Sequence, residues 1–159
     1  MRKAIVIAGV AWTILGAPAI AAAEDGVHHV TFEASEIPWR PDLNDAVAGA
    51  KVALLYGNPS REGVFVIRLV LPKGWRRAPH THPQPEIITV LSGSLLIGHG
   101  AVTNASDEQR VGSGGFSALP PDMIHYAHVD EETVIQISTN GPWSIKYVNP
   151  TDDPRNIAK

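Results

Sequence analysis

The spacing of turn residues constrains the fold of this chain more than any other feature of its sequence. Short apolar runs rich in Val, Ile and aromatic residues alternate with clusters of Gly, Pro, Asn, Asp and Ser, and the runs recur about every 10 residues. No long stretch keeps the period of an amphipathic helix. The sequence therefore predicts an all-β single domain, either a sandwich or a closed barrel of many short strands.

Nine apolar runs are predicted as strands because turn residues bound each of them. In the last run the apolar Trp143, Ile145 and Tyr147 alternate with polar residues, which is the two-residue period of a half-buried strand. The run 64–71 is apolar on both faces except at Arg68, which fits a strand buried inside a sandwich and equally a contact within a homodimer. The nine runs span residues 27–33, 50–56, 64–71, 86–91, 94–98, 115–118, 125–130, 133–138 and 143–148.

The first 23 residues have the pattern of a secretory signal peptide. Arg2 and Lys3 precede a long apolar run, the run ends in small residues, and acidic residues follow directly. The alternative, a buried or membrane-spanning helix, is disfavoured because Gly16 and Pro18 interrupt the run. The sequence therefore predicts cleavage near Ala23 and a periplasmic or secreted protein without stable membrane association.

The mature chain is predicted to contain one domain at residues 24–150 and a polar C-terminal tail at 151–159. The full sequence has 13 Lys and Arg against 16 Asp and Glu, and without Arg2 and Lys3 the mature chain has 11 against 16, so there is no basic surface and nucleic acid is not an expected partner. The absence of cysteine excludes disulfides, thiolate catalysis and cysteine-ligated metal sites. Any metal ion must therefore be held by nitrogen and oxygen ligands.

Two histidines and a carboxylate have a spacing that suits a metal site. His80, His82 and Glu86 have the same parity, so they can converge on one face of an extended chain. Two imidazoles and one carboxylate fit a divalent transition-metal ion and leave coordination positions open. His125 lies 39 residues after Glu86, where it follows a proline-rich turn and begins a predicted strand, and it is a candidate fourth ligand.

The spacing around these residues resembles that of single-domain cupins. The first cupin motif, G-x5-H-x-H-x3-E-x6-G, is matched at every fixed position from Gly74 to Gly93. The second motif, G-x5-P-x-G-x2-H-x3-N, is matched from Gly114 to His125, except that Asp122 replaces the second glycine and Val129 replaces the final asparagine.

The resemblance implies a cupin jelly-roll barrel or sandwich with one divalent metal ion in its mouth. The implied ligands are His80, His82, Glu86 and His125, and the ion is Fe, Mn, Ni, Zn or Cu. The alternative is a cupin barrel that folds without metal, but such members usually lack at least one of these four ligands.

Two functions follow from such a site. The first is a metal-dependent enzyme, a dioxygenase-like oxidoreductase or an isomerase, that acts on a small oxygen-rich substrate; Glu86, Gln84 and Tyr126 are its weak catalytic candidates. The second is a binding or sensing module that holds a metal or small ligand without turnover. A purely structural interaction protein has less support, because the sequence shows no large apolar or charged patch.

Other residues near the motifs are open to two interpretations. Three aromatic residues can line a pocket or pack in the core, and two adjacent arginines can attract an anion or lie in a solvated loop. Asp122 can orient a ligand imidazole or cap its turn. Tyr126 and His128 have the opposite parity to His125, so they are expected to face outward or an interface, with a role in supporting the metal ligands as the alternative. The aromatic residues are Trp75, Trp143 and Tyr147, and the arginines are Arg76 and Arg77.

Overall fold

The computed structural model describes residues 29–40 and 49–157, and the predicted signal peptide at 1–23 lies outside them. The described chain is built almost entirely from β-strands joined by turns. Its strands are β1 (Lys51–Tyr56), β2 (Gly63–Leu71), β3 (Arg76–Thr81), β4 (Glu86–Ser92), β5 (Ser94–His99), β6 (Gln109–Gly112), β7 (Phe116–Leu119), β8 (His125–His128), β9 (Thr133–Gly141) and β10 (Lys146–Tyr147).

The strands form two five-stranded antiparallel sheets. The first sheet has the order β1-β2-β9-β4-β7, and the second has the order β10-β3-β8-β5-β6. After β6, each of the strands β7 to β10 lies in the opposite sheet to the strand before it, so the chain crosses repeatedly between the layers. The predicted all-β jelly-roll architecture is therefore confirmed.

The core lies between the two sheets. Along β9 every second residue is buried, so one face of the strand packs inward. Ile135 and Ile137 of this face and Leu95 and Ile97 of β5 are each at most 5% exposed and belong to one apolar cluster. Burial of each such side chain stabilises the fold by roughly 1.5–3 kcal/mol.

Most of the predicted strands are present, and the exceptions have local causes. The prediction of a strand at 27–33 is wrong for its described part: residues 29–33 are exposed and lead into a 3₁₀ turn at Ala34–Glu36. Glu33 and Glu36 close this turn with a capping box. Strands β3 and β6 were not predicted, since both are rich in polar residues and lack an apolar run.

Residues 143–148 show the predicted alternation of burial, although only two of them form backbone pairs with another strand. Trp143, Ile145 and Tyr147 are more buried than the intervening Ser144 and Lys146, as their period predicts. Only Lys146–Tyr147 pairs with a neighbouring strand, β3.

Strand β2 lies between β1 and β9 within its sheet, so it is not an edge strand. Phe65 and Leu69 face the core, at 0% and 4% exposure. On the other face Val64 is 55% exposed, and the Arg68 guanidinium donates a hydrogen bond to the Gln136 side-chain oxygen at 2.8 Å. The predicted homodimer contact through this outer face stays a prediction.

The C-terminal residues are ordered into short turns. A 3₁₀ turn at Pro150–Asp152 precedes a one-turn helix at Pro154–Ile157. Arg155 donates to the backbone carbonyl of Ile145 at 3.2 Å, which attaches this segment to the sheet. Within residues 29–40 and 49–157, no helix has the length and apolar character needed to cross a bilayer.

The contact between Gly98 and Tyr126 gives a stability prediction. A Cβ atom at Gly98 would lie 2.1 Å from Cζ of Tyr126, whose hydroxyl is held by the backbone N–H and carbonyl of Asn104 at 2.8 and 2.9 Å. Because the ring cannot move freely, Gly98→Ala should lower the free energy of unfolding by roughly 1–3 kcal/mol, measured by urea denaturation. Gly112→Ala is the matched control, since nothing lies within 4 Å of its Cβ position. Equal stability of the two variants would contradict the packing described.

Candidate metal centre

The pairing of β3 with β8 brings the four candidate ligands together. His80 lies on β3 directly opposite His125, the first residue of β8. His82 follows the end of β3, and Glu86 is the first residue of β4. One ligand atom of each residue lies within 4.8 Å of the others, and all four residues are 3–7% exposed.

Backbone carbonyls fix the orientation of all three imidazole rings. The Nδ1 atoms of His80, His82 and His125 lie 2.7, 2.8 and 3.0 Å from carbonyl oxygens. A carbonyl only accepts hydrogen bonds, so Nδ1 of each ring must be the protonated donor and Nε2 of the neutral ring keeps its lone pair. The accepting carbonyls belong to Ala78, Ser144 and Met123 respectively.

The Nε2 atoms of two of these rings lie near the carboxylate of Glu86. Nε2 of His125 lies 3.0 Å from Oε2 of Glu86, and Nε2 of His82 lies 3.8 Å from the same oxygen. Burial, together with the neighbouring His125 and His82, lowers the pKa of His80 to about 2. Burial also lowers the pKa of His82. Both imidazoles are thereby kept neutral, which is the form that binds metal ions.

This donor set fits a divalent transition-metal ion. Three imidazole nitrogens and one carboxylate oxygen are ligands shared by iron, manganese, nickel, zinc and copper sites. Each imidazole already has the hydrogen bond to Nδ1 that orients metal-bound histidines. An ion that takes six ligands would keep positions for water or for an oxygen atom of a bound molecule.

A cavity of about 320 Å³ lies against the cluster, between the two sheets. The ring of Trp143 stacks on His82 with 4.0 Å between ring centroids and 16° between planes. The ring of Tyr147 lies 5.8 Å from that of His80. Trp75 and Trp143 line the cavity, and Trp75 also packs against the apolar core. Tyr147 is buried and is not among the described lining residues.

The weak catalytic candidates are not brought together. Glu86 lines the cavity, whereas Gln84 lies half-buried in the loop between β3 and β4 and is not among the described lining residues. Tyr126 is 2% exposed, but its hydroxyl is bound to the backbone of Asn104, away from the cluster. His128 lies on the same face as Tyr126, as parity predicts, with Nδ1 3.5 Å from a carboxylate oxygen of Glu108.

The two departures from the second cupin motif keep its backbone shape. Asp122 has φ of 60°, a conformation that glycine adopts without strain, and its N–H donates to the His82 carbonyl at 2.8 Å. Its side chain is exposed, so the interpretation that it orients an imidazole is wrong; backbone carbonyls do so instead. Val129 is fully buried, and its backbone N–H donates to the carbonyl of Trp75 at 3.0 Å.

Of the two interpretations of the arginine pair, the solvated loop is wrong for Arg77, because it lies on β3 and lines the cavity. Its parity is opposite to that of His80, which predicts opposite faces for an ideal strand. The register of β3 on β8 shifts between these two residues, so a β-bulge turns both side chains inward. Pro79 between them was an available signal, since proline within a sheet is found at edges and bulges.

The family comparison covers most of the chain. A family model described as a domain of unknown function, DUF4437, matches residues 21–146. Among curated proteins, the putative germin-like protein 12-3 of Oryza sativa subsp. japonica is 25% identical over 134 residues, which are 74% of this chain and 58% of that protein. The chain thus spans less than two thirds of the length of this curated relative.

Solved structures share the fold at low sequence identity. An RmlC-like cupin from Shewanella frigidimarina is 17% identical with a TM-score of 0.56, over 71% of this chain and 90% of that one. A putative acetylacetone dioxygenase from Methylibium petroleiphilum is also 17% identical, with a TM-score of 0.59, over 80% of this chain and 85% of that one. The family match leads to one assignment, that the chain belongs to the DUF4437 family, and the structural similarities show that it has the fold of cupins.

Proposed function

We propose that this protein is an exported metal-dependent enzyme that binds one divalent ion and acts on a small oxygen-rich molecule. The observation that supports the proposal best is the convergence of three Nε2 atoms and one carboxylate beside a cavity. The reaction is a dioxygenase-like oxidation or an isomerisation. The putative acetylacetone dioxygenase that shares the fold supports the oxidation.

Each residue of the cluster has a distinct part in the proposed mechanism. His80, His82 and His125 hold the ion through Nε2, while their Nδ1 hydrogen bonds keep the rings from turning. The bound ion supplies Lewis acidity toward an oxygen atom of the substrate. Glu86 holds the ion and is the cavity-lining carboxylate available to accept a proton. Trp143, stacked on His82, covers one side of that ring.

A second candidate function is metal or ligand binding without turnover. It is favoured by the composition of the cavity wall: among the described lining residues, the four cluster members are the only side chains of Asp, Glu, His or Tyr. A general acid or base that acts independently of the ion is therefore missing from the described wall. A binding or sensing module needs no such group.

Metal binding is tested by the metal content of the purified protein. Wild type should contain close to one divalent ion per chain, measured by inductively coupled plasma mass spectrometry without added salts. His80→Ala should lose most of the ion, since it removes one of four ligands from the cluster. His128→Ala is the control, because it removes an imidazole from the opposite face of β8 and should keep the ion. Equal metal content in the two variants would show that the ligands are misassigned.

Turnover separates the enzyme from the binding module. Metal-loaded protein should consume oxygen, or change the ultraviolet absorbance of its substrate, with at least one member of a panel of diketones, quinols and hydroxy acids. His80→Ala should lose this activity together with its ion. A ligand-induced rise in melting temperature without any turnover would instead favour the non-catalytic function.

Export is proposed from the pattern of residues 1–23 alone. Expression of the full chain in a bacterial host should give a mature protein in the periplasm or medium whose first residue lies near Glu24, as determined by intact-mass spectrometry. Full-length protein retained in the cytoplasm would contradict the proposal.

A further inference from the structure

Arg77 places a positive charge in the wall of the cavity. Metal binding by His80, His82, Glu86 and His125 does not require this charge. We propose that Arg77 binds the carboxylate of a small carboxylic acid whose apolar part extends into the barrel. The inference rests on the proposed function, since it names the class of substrate or ligand that the same cavity accepts. It predicts an anionic ligand rather than a neutral diketone or a sugar.

Aromatic groups hold the guanidinium of Arg77 in place. Its central carbon lies 5.3 Å from the ring centroid of Trp75 and 5.9 Å from that of Tyr147. One of its terminal nitrogens also donates a hydrogen bond to the Tyr147 hydroxyl. A guanidinium has five N–H donors in a planar fork, so donors remain for a carboxylate, which accepts two of them side by side. The aromatic contacts reduce the entropy lost when such a ligand binds.

Arg77 has no ion-pair partner within the described chain. The pKa of Asp153 is lowered mainly by the hydrogen bond from Arg155, with which it is paired, and the charge of Arg77 contributes to this lowering. No carboxylate of residues 29–40 and 49–157 forms an ion pair with Arg77. Arg155, the other arginine of the cavity wall, differs in this respect: its guanidinium lies 2.6 Å from a carboxylate oxygen of Asp153. An uncompensated, half-buried cation attracts an anion more strongly than a paired one, because no internal carboxylate competes for its donors.

The position of Arg77 relative to the cluster suits a ligand that contacts both. The ring of Tyr147 lies next to His80 and next to Arg77, at 5.8 and 5.9 Å. A divalent ion bound by one carboxylate would keep one positive charge, and Arg77 adds a second. This end of the cavity therefore favours a negatively charged group.

Apart from Ser144 and Arg155, the remaining wall of the cavity is apolar. Its wall includes Leu69, Ile88, Leu95, Ile97 and Ile137, which come from both sheets and are each at most 5% exposed. These side chains offer no hydrogen bonds, so a sugar would leave its hydroxyls unpaired there, whereas a molecule whose oxygen atoms lie at its carboxylate end would not. An acid with a short hydrocarbon chain satisfies both ends of the cavity.

The probe pair is hexanoate and hexanamide, which have similar shape and differ in charge. Binding to metal-loaded protein is measured by isothermal titration calorimetry. Wild type should bind hexanoate at least about tenfold more tightly than hexanamide, the ratio expected from a charge-assisted hydrogen bond. Because a bound ion also attracts a carboxylate, Arg77→Gln should reduce the ratio in metal-loaded protein and abolish it in ion-free protein, without changing the metal content of the loaded form. Arg77→Lys should restore part of the ratio because it keeps the charge but not the planar fork.

Arg76→Gln is the matched control. Arg76 is the preceding residue of β3 and is exposed, so this change removes the same charge from the protein but not from the cavity. The variant should keep the wild-type ratio. Circular dichroism and thermal melts of all variants establish that each is folded, so a packing role of Arg77 would appear as lowered stability with an unchanged ratio.

The inference is overturned if wild type shows no preference for hexanoate, or if Arg77→Gln keeps the full wild-type preference. Its failure is distinguishable from failure of the proposed function. If the protein holds one ion but does not prefer the acid, the metal site stands and the ligand class is wrong. If it holds no ion, the proposed function fails. The inference about Arg77 is then decided by comparing the hexanoate-to-hexanamide affinity ratio of ion-free wild type with that of ion-free Arg77→Gln.

Discussion

The antiparallel pairing of β3 with β8 is the constraint on which the candidate site depends. It places His80 opposite His125, which the sequence separates by 45 residues. Because side chains alternate between faces, a shift of this register by one residue would turn His125 out of the cavity and Tyr126 into it. This register therefore brings the ligands of the two motifs together in one cluster. The apolar core on the same face of β8 stabilises the register.

The cluster is polar and buried, a combination that is unfavourable unless the polar atoms have partners. Three backbone carbonyls accept the Nδ1 protons, so half of the nitrogen atoms in the three rings are already paired within the protein. The Nε2 atoms and the Glu86 carboxylate remain directed at one another. Burial lowers the pKa of His80 so far that the ring is neutral at all physiological pH values. The protein thus keeps a set of uncharged donors ready for a cation.

Local patterns in the sequence predicted a large part of this arrangement. Turn clusters located most strands, and the alternation of Trp143, Ile145 and Tyr147 gave the correct inward face. Parity predicted that Tyr126 turns away from His125, which its contact with Asn104 confirms. The errors occurred where polar residues form strands, as in β3 and β6, because the hydrophobic period is absent there. The role suggested for Asp122 failed because carbonyl oxygens, which every residue has, can orient a ring equally well.

The sequence by itself determined the all-β class and the type of donor atoms, since both follow from residue identity and from spacings of a few positions. Tertiary structure alone decided that Arg77 enters the cavity and that Trp143 stacks on His82. The first depends on a bulge between β3 and β8, and the second on a contact between segments about 60 residues apart. Local periodicity does not encode either, because the energy of a bulge or of a contact between distant segments depends on the partner that the fold supplies.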